Sequence, residues 1–195
     1  MSSVLRKPMT REAFLAWVET QEGRYEFDGF QPVVRSRGDL GHSALIGNVL
    51  RHLGNKLAGR KGRSLGPDAG VATIRDGVRY PDAVVTCSPF NRNDRLVPDP
   101  VIVFEMVSPT SVRTDRVVKL REYQAVPTIR RYVIVEPRAM AVSVHWRDQV
   151  DEMFWASGFD DDDVLVLPEI DVEIPIAAIY EGIELDEGVA RLSAI

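Results

Sequence analysis

The chain has a single cysteine in 195 residues. Cys87 alone excludes an internal disulfide framework and any zinc cluster built on several cysteines, and a reducing, cytoplasmic setting is the expectation. It closes an apolar run, which reads as a small buried hydrophobe rather than a nucleophile. Histidine is nearly as scarce, with three in all. No second His or Cys stands at ligand spacing from His42, so zinc is not the metal to expect. Long apolar runs are missing as well. Nothing approaches the roughly 18 residues a membrane span needs, and the segment Met1-Ser-Ser-Val-Leu-Arg-Lys-Pro8 lacks the apolar core of a secretory signal. With no repeat and no linker-like stretch, the expected organisation is a loose arm at residues 1–8 and one domain over 9–195, a length that suits a single core.

An excess of positive charge is also absent. The net charge of −5 argues against a protein that coats nucleic acid non-specifically. It leaves room for a local basic face, and basic residues do gather at 51–63 and 113–121. The alternative for both groups is a set of solvated side chains.

What is present is an alternation of helical and extended patterns. Thr10 caps a short helix over 11–19, ended by Gly23. Asp28-Gly29 between two alternating runs marks a hairpin, with Glu26 in its first arm. Leu45, Ile46, Val49, Leu50, Leu53 and Leu57 recur at helical period, predicting a helix over 42–57 with His42 at its start. Short strands are expected at 64–66, 71–74 and 78–80, with Asp76-Gly77 as a further turn. Two buried strands follow at 83–86 and 101–106. A turn at 108–111 leads to a helix running to about Gln124 and stopped by Pro127. Strands are expected at 132–135, 142–146, 152–156 and 164–167, the acidic run 160–163 as a solvated turn, and a weak helix at 176–180. The fold class is α/β.

The chemistry concentrates where acids interrupt apolar strands. Asp82 precedes Ala83-Val-Val-Thr86, and Glu105 sits inside Val101-Ile-Val-Phe-Glu105-Met-Val107. A carboxylate in such a run is costly to bury without a cation or a donor. Lys119, fourteen residues after Glu105, shares a helix face with Asp115 and Tyr123 at i−4 and i+4. Two strand carboxylates and a lysine suit phosphodiester hydrolysis. The acids hold Mg²⁺ or Mn²⁺ while leaving positions for water and phosphate, and the amine orients the water or offsets developing charge. Each residue also has a plainer reading. Asp82 caps a turn, Glu105 forms a buried salt bridge with Lys119 or an arginine, and Glu26 is an exposed hairpin acid. Likewise His42 packs or caps, and Tyr123 packs with one satisfied hydroxyl. Arg113, Arg116 and Arg131 meet phosphate or only water. Sugar hydrolysis by the carboxylate pair is a weaker reading, because a lysine beside them fits phosphate better.

The ordered set Tyr25-Glu26-x-Asp28-Gly29, His42-x-x-x-Ile46, Pro81-Asp82-x-x-Val85, Val103-Phe-Glu105-Met-Val-Ser108-Pro-Thr, Asp115-x-x-x-Lys119-x-x-x-Tyr123 and Tyr132-Val-Ile-Val resembles the Uma2 family of restriction-endonuclease-like proteins, within the PD-(D/E)XK nuclease superfamily. The resemblance spans roughly residues 9–180. It implies a restriction-endonuclease-like mixed central sheet flanked by helices, with catalysis by Asp82, Glu105, Lys119 and Glu26. Asp82, Glu105 and Glu26 would bind the metal, and Tyr123, His42 and Asp115 would support them. It also implies DNA as substrate and a homodimer that addresses both strands. Val107 stands where the superfamily pattern has its lysine, and Lys119 on the next helix is the replacement. The rival reading is a catalytically inactive nucleic-acid-binding or regulatory module of the same fold.

Overall fold

The structure is a computed structural model that describes residues 9–35, 38–107, 114–148 and 154–185. The expected arm at 1–8, the turn at 108–111 and Arg113 lie outside the described residues, as do the side chains of Thr114 and Asp115. In chain order the elements begin with helix α1 (Arg11–Val18), strands β1 (Tyr25–Phe27) and β2 (Pro32–Val34), and helix α2 (Leu40–Leu57). Strands β3 (Arg63–Leu65), β4 (Val71–Ala72), β5 (Val78–Arg79), β6 (Ala83–Thr86) and β7 (Pro100–Met106) follow. A π-helical turn (Thr114–Lys119) runs into helix α3 (Leu120–Gln124). The chain continues with β8 (Arg131–Val135), β9 (Val142–Arg147), β10 (Phe154–Phe159), β11 (Val164–Leu167), β12 (Val172–Pro175) and helix α4 (Ile176–Ile179).

Local chemistry accounts for the first elements. The Thr10 hydroxyl accepts from the Ala13 N–H at 3.2 Å and caps α1, whose Phe14 is buried against Phe27. Thr10→Ala is expected to cost about 1 kcal/mol. For a chain of this size that lowers Tm by about 2–4 °C in a calorimetric scan. In the β1–β2 turn the Asp28 carboxylate accepts from the Phe30 and Gln31 N–H groups at 2.8 and 2.7 Å. Gly29 there has φ +87°, and a Cβ on it would fall 2.1 Å from the Arg75 carbonyl oxygen, so only glycine fits. This hairpin joins the next one in a four-stranded sheet of order β2-β1-β5-β4.

The central sheet has six strands in the order β10-β9-β8-β7-β6-β3, and is mixed because β7 and β8 run parallel while the other pairs are antiparallel. Period-2 alternation divides its two faces. Ala83, Val85, Ile102 and Phe104 meet the α2 stripe of Leu45, Val49, Leu53 and Leu57. Val84, Val103, Tyr132 and Ile134 form a second core with Tyr123 and Ile129. Glu105 shares the parity of Val103, and Asp82 that of Val84. The alternation therefore turns both acids toward the side where Tyr123 of α3 packs.

Several boundaries differ from expectation. Helix α2 begins at Leu40 rather than His42, because Asp39 is the cap and its carboxylate accepts from the His42 N–H at 2.8 Å. The helix expected to run unbroken to Gln124 is a π turn followed by a five-residue α-helix. Of the strand expected at 152–156, residues 152 and 153 lie outside the described residues; the described strand, Phe154–Phe159, runs past the expected end in register with β9. Strand β12 was not expected. Its Val-Glu-Ile-Pro run is short, but Val172 and Ile174 alternate inward once β11 pairs with it. Cys87 is exposed, contrary to the buried reading. The β6–β7 pairing shifts at Val85/Thr86, and Cys87 lies beyond that irregularity, past the end of the strand.

Candidate active site

Continuing the β6–β7 register one step past Ala83↔Phe104 sets Asp82 across from Glu105. The pairing is reinforced by the Met106 N–H, which donates to Asp82 Oδ2 at 2.8 Å. Both acids are buried. Lys119 closes over them from the last position of the π turn. Its Nζ lies 2.9 Å from Glu105 Oε1 and 3.4 Å from Glu26 Oε1. The Tyr123 hydroxyl, one helical turn on, donates to the same Glu105 oxygen at 3.0 Å. The structure thus brings Asp82, Glu105, Lys119, Glu26 and Tyr123 into one cluster. His42 reaches it from α2, with Nε2 3.3 Å from Asp82 Oδ1.

Glu26 is ringed by cations. Oε2 accepts from Arg79 Nη1 at 3.0 Å, while Oε1 takes the Tyr80 N–H at 3.2 Å and faces Arg35 Nε at 3.6 Å besides Lys119. Arg79 uses its other edge on Glu122, with Nε to Oε2 at 2.6 Å and Nη2 to Oε1 at 2.7 Å. Arg35 also donates to the Pro67 and Tyr80 carbonyls at 3.0 and 2.6 Å.

Burial by itself would push the Glu26 carboxyl up. Lys119, Arg79, Arg35 and the Tyr80 amide together outweigh it and hold Glu26 below the usual carboxylate range. The hydrogen bond to Asp82 raises His42 above the ordinary imidazole value against the opposing effect of burial, and the charges of Asp82 and Asp39 add to the rise. Burial, then the Glu105 charge, lifts the Tyr123 phenol well above its ordinary value, so at neutral pH it is a donor and not a phenolate.

A cavity of about 560 Å³ opens at the cluster, lined by Arg24, Arg35, Gly38, His42, Ile46 and Asp82 among others. The Gly38 backbone lies so close to the imidazole that a Cβ on it would fall 2.2 Å from His42 Cδ2. A side chain at 38 would therefore displace the imidazole that reaches Asp82.

As a donor set, Asp82 and Glu105 suit a small hard cation. Mg²⁺ is bound through one or two carboxylates and completes its shell with water and substrate oxygens. Among the described residues no group of three or more His, Cys, Asp or Glu side chains is arranged to hold an ion. The Glu26 oxygens face an ammonium and two guanidinium groups.

The other candidates lie elsewhere. The Asp115 side chain is outside the described residues. Arg131 forks onto Glu169 at about 3.0 Å, and Arg116 pairs with Glu136. Arg79, Arg35 and Glu122 did not stand out in the sequence. Two had a readable signal. Arg79 interrupts an apolar pair directly before Tyr80-Pro81-Asp82, and Glu122 follows Lys119 at i+3 on one helix face. Arg35 had none, because its partners, the Glu26 carboxylate and the Pro67 and Tyr80 carbonyls, meet it only in the fold.

This geometry can be set beside known proteins. The chain is 24% identical over 178 residues to the uncharacterized protein slr1290 of Synechocystis, covering 90% of this chain and 93% of that one. Among solved structures it matches one described as "a putative nuclease belonging to DUF820" from Anabaena variabilis, with TM-score 0.67 and 18% identity over 89% of this chain and 98% of that one. That likeness establishes a shared fold. The family model described as "Uma2: Putative restriction endonuclease" matches residues 11–177, which take in α1 through the start of α4 and every residue of the buried cluster, and the chain belongs to the Uma2 family.

Proposed function

We propose that this protein is a Mg²⁺- or Mn²⁺-dependent endonuclease that hydrolyses DNA phosphodiester bonds. The observation that carries the reading is the opposition of Asp82 and Glu105 on adjacent strands, with the Lys119 amine 2.9 Å from Glu105. A divalent ion held by Asp82 and Glu105 would supply Lewis-acid polarisation of the phosphate and a lowered pKa for a bound water. The rest falls to the chain's own groups. Glu105 anchors the Lys119 ammonium, which orients the attacking water or offsets charge on the phosphate. Glu26 takes the part of a counter-ion that holds Lys119, in place of the metal ligand expected from the sequence. Tyr123 donates to Glu105 and fixes its rotamer. His42 holds Asp82, and Arg35, which lines the cavity, is a cation there that would meet phosphate. A homodimer able to reach both strands belongs to the same proposal, and light scattering tests it. No helix of the described residues is long and apolar enough to cross a membrane.

The test is incubation of purified protein with plasmid, linear and single-stranded DNA, with Mn²⁺, Mg²⁺ or a chelator. Cleavage is expected only with a divalent ion, and Tm is expected to rise with it. At about 100-fold excess over Kd the stabilisation is about 2.7 kcal/mol. Asp82→Asn and Glu105→Gln should lose both effects. One observation favours the rival reading of an inactive binding module: the Lys119 amine is buried and already shared by two carboxylates. A wild type whose Tm ignores both metals, and which binds DNA without cutting it, would decide for that module.

A further inference from the structure

We propose that Arg79 is the positioning residue for Lys119, acting on the amine and on its helix at the same time. The inference rests on the reading of Lys119 as the group that orients water or phosphate. Helix α3 has five residues and joins a π turn at Lys119 itself, so the hydrogen-bonding register changes at the very residue whose side chain must be placed. A helix this short does not hold itself in water. Its placement has to come from outside, and the anchors are visible. Tyr123 is buried in the second core. Glu122, three residues after Lys119, receives two parallel N–H groups from Arg79, at 2.6 and 2.7 Å. The remaining edge of the same guanidinium holds Glu26 at 3.0 Å, and Glu26 in turn faces the Lys119 amine at 3.4 Å.

One rigid fork on β5 therefore ties down both ends of the lysine: the backbone through Glu122 and the ammonium through Glu26. Arginine offers donors on two edges in a fixed plane; a lysine here has no planar fork with which to grip Glu122 in bidentate fashion while holding Glu26. Arg79 is 3% exposed, so it acts through Lys119 and not on substrate. The arrangement also gives a physical reason why a lysine borne on a helix can serve a site whose usual lysine position, two residues after Glu105, is Val107.

The experiment uses the full chain with Arg79→Met, Arg79→Lys and Glu122→Gln. As a control for general destabilisation, Leu165→Ala opens a cavity in the other core. Two readouts are taken. In steady-state cleavage with saturating Mn²⁺, kcat is expected to fall by about 10²-fold in Arg79→Met, the scale of a misplaced reacting group, with KM for DNA within about twofold. Arg79→Lys should not rescue it. In native-state acylation of lysines, read by peptide mass spectrometry, Lys119 is expected to be protected in the wild type. It should react about tenfold faster in Arg79→Met and faster in Glu122→Gln, but not in Leu165→Ala. Equal labelling of Lys119 in wild type, Arg79→Met and Glu122→Gln overturns the proposal. So does an equal rise in Leu165→Ala, or a KM effect with unchanged kcat. A wild type that cuts no DNA removes the nuclease reading alone, and the labelling comparison still decides the clamp. If Arg79→Met does not fold, Glu122→Gln carries both readouts.

Discussion

Lys119→Met should lower metal-dependent DNA cleavage by about 10²–10⁴-fold, the range attributed to a positioned acid–base group or a donor aimed at developing charge. Methionine keeps most of the stem that packs beneath the amine, so the change removes charge and hydrogen bonding more than volume. The metal response should move the other way. Lys119 puts a positive charge 2.9 Å from Glu105, which competes with any cation at that carboxylate. Its removal should leave the metal-induced rise in Tm intact or enlarge it. Glu105→Gln is the complement, expected to lose both cleavage and the metal response. The pair of variants thus separates binding of the ion from use of it. Lys119→Met that cleaves like the wild type while Glu105→Gln does not would remove the lysine from the mechanism, and cleavage that survives in both variants marks a contaminating nuclease.

Glu26→Gln should cost stability on a scale of about 3 kcal/mol at neutral pH, the lower end for opening a buried ion pair. It sits at the lower end because Arg79 keeps Glu122 and Lys119 keeps Glu105. The pH dependence has a definite sign. Glu26 is held below its ordinary pKa in the folded chain. Its contribution is therefore fully present above the unfolded-state value of about 4.5 and is lost as pH falls through the folded value. The difference in unfolding free energy between wild type and Glu26→Gln, measured by urea titration, should be flat from pH 7 down to about 5 and shrink below it. A difference that persists unchanged into the acid range would mean that the carboxylate is not ionised in the fold.

The residues differ in how far they could be read beforehand. Asp82 and Glu105 announced themselves because a single acid inside a Val/Ile run breaks a strong local pattern. Their opposition across β6 and β7 follows from two adjacent short strands. Lys119 and Tyr123 were legible through i+4 spacing, although the π turn was not: a change of helical register leaves no mark in side-chain periodicity over six residues. Glu26 was visible as a hairpin acid but its partners were not, since Arg79, Lys119 and Arg35 converge on it from β5, the π turn and the segment after β2. Cys87 misled because the apolar run reaches it, while the pairing irregularity at Val85/Thr86 takes it out of the sheet.

Local pattern by itself determined the α/β class, the α2 stripe, the hairpins and the two strand acids, since period 3.6, period 2 and turn chemistry are properties of neighbouring residues. Tertiary structure alone decided which charges meet. Burial makes an unpaired charge expensive, so Glu26, Arg79, Glu122, Lys119 and Glu105 had to find one another across distant elements, and no short stretch of the chain records that requirement.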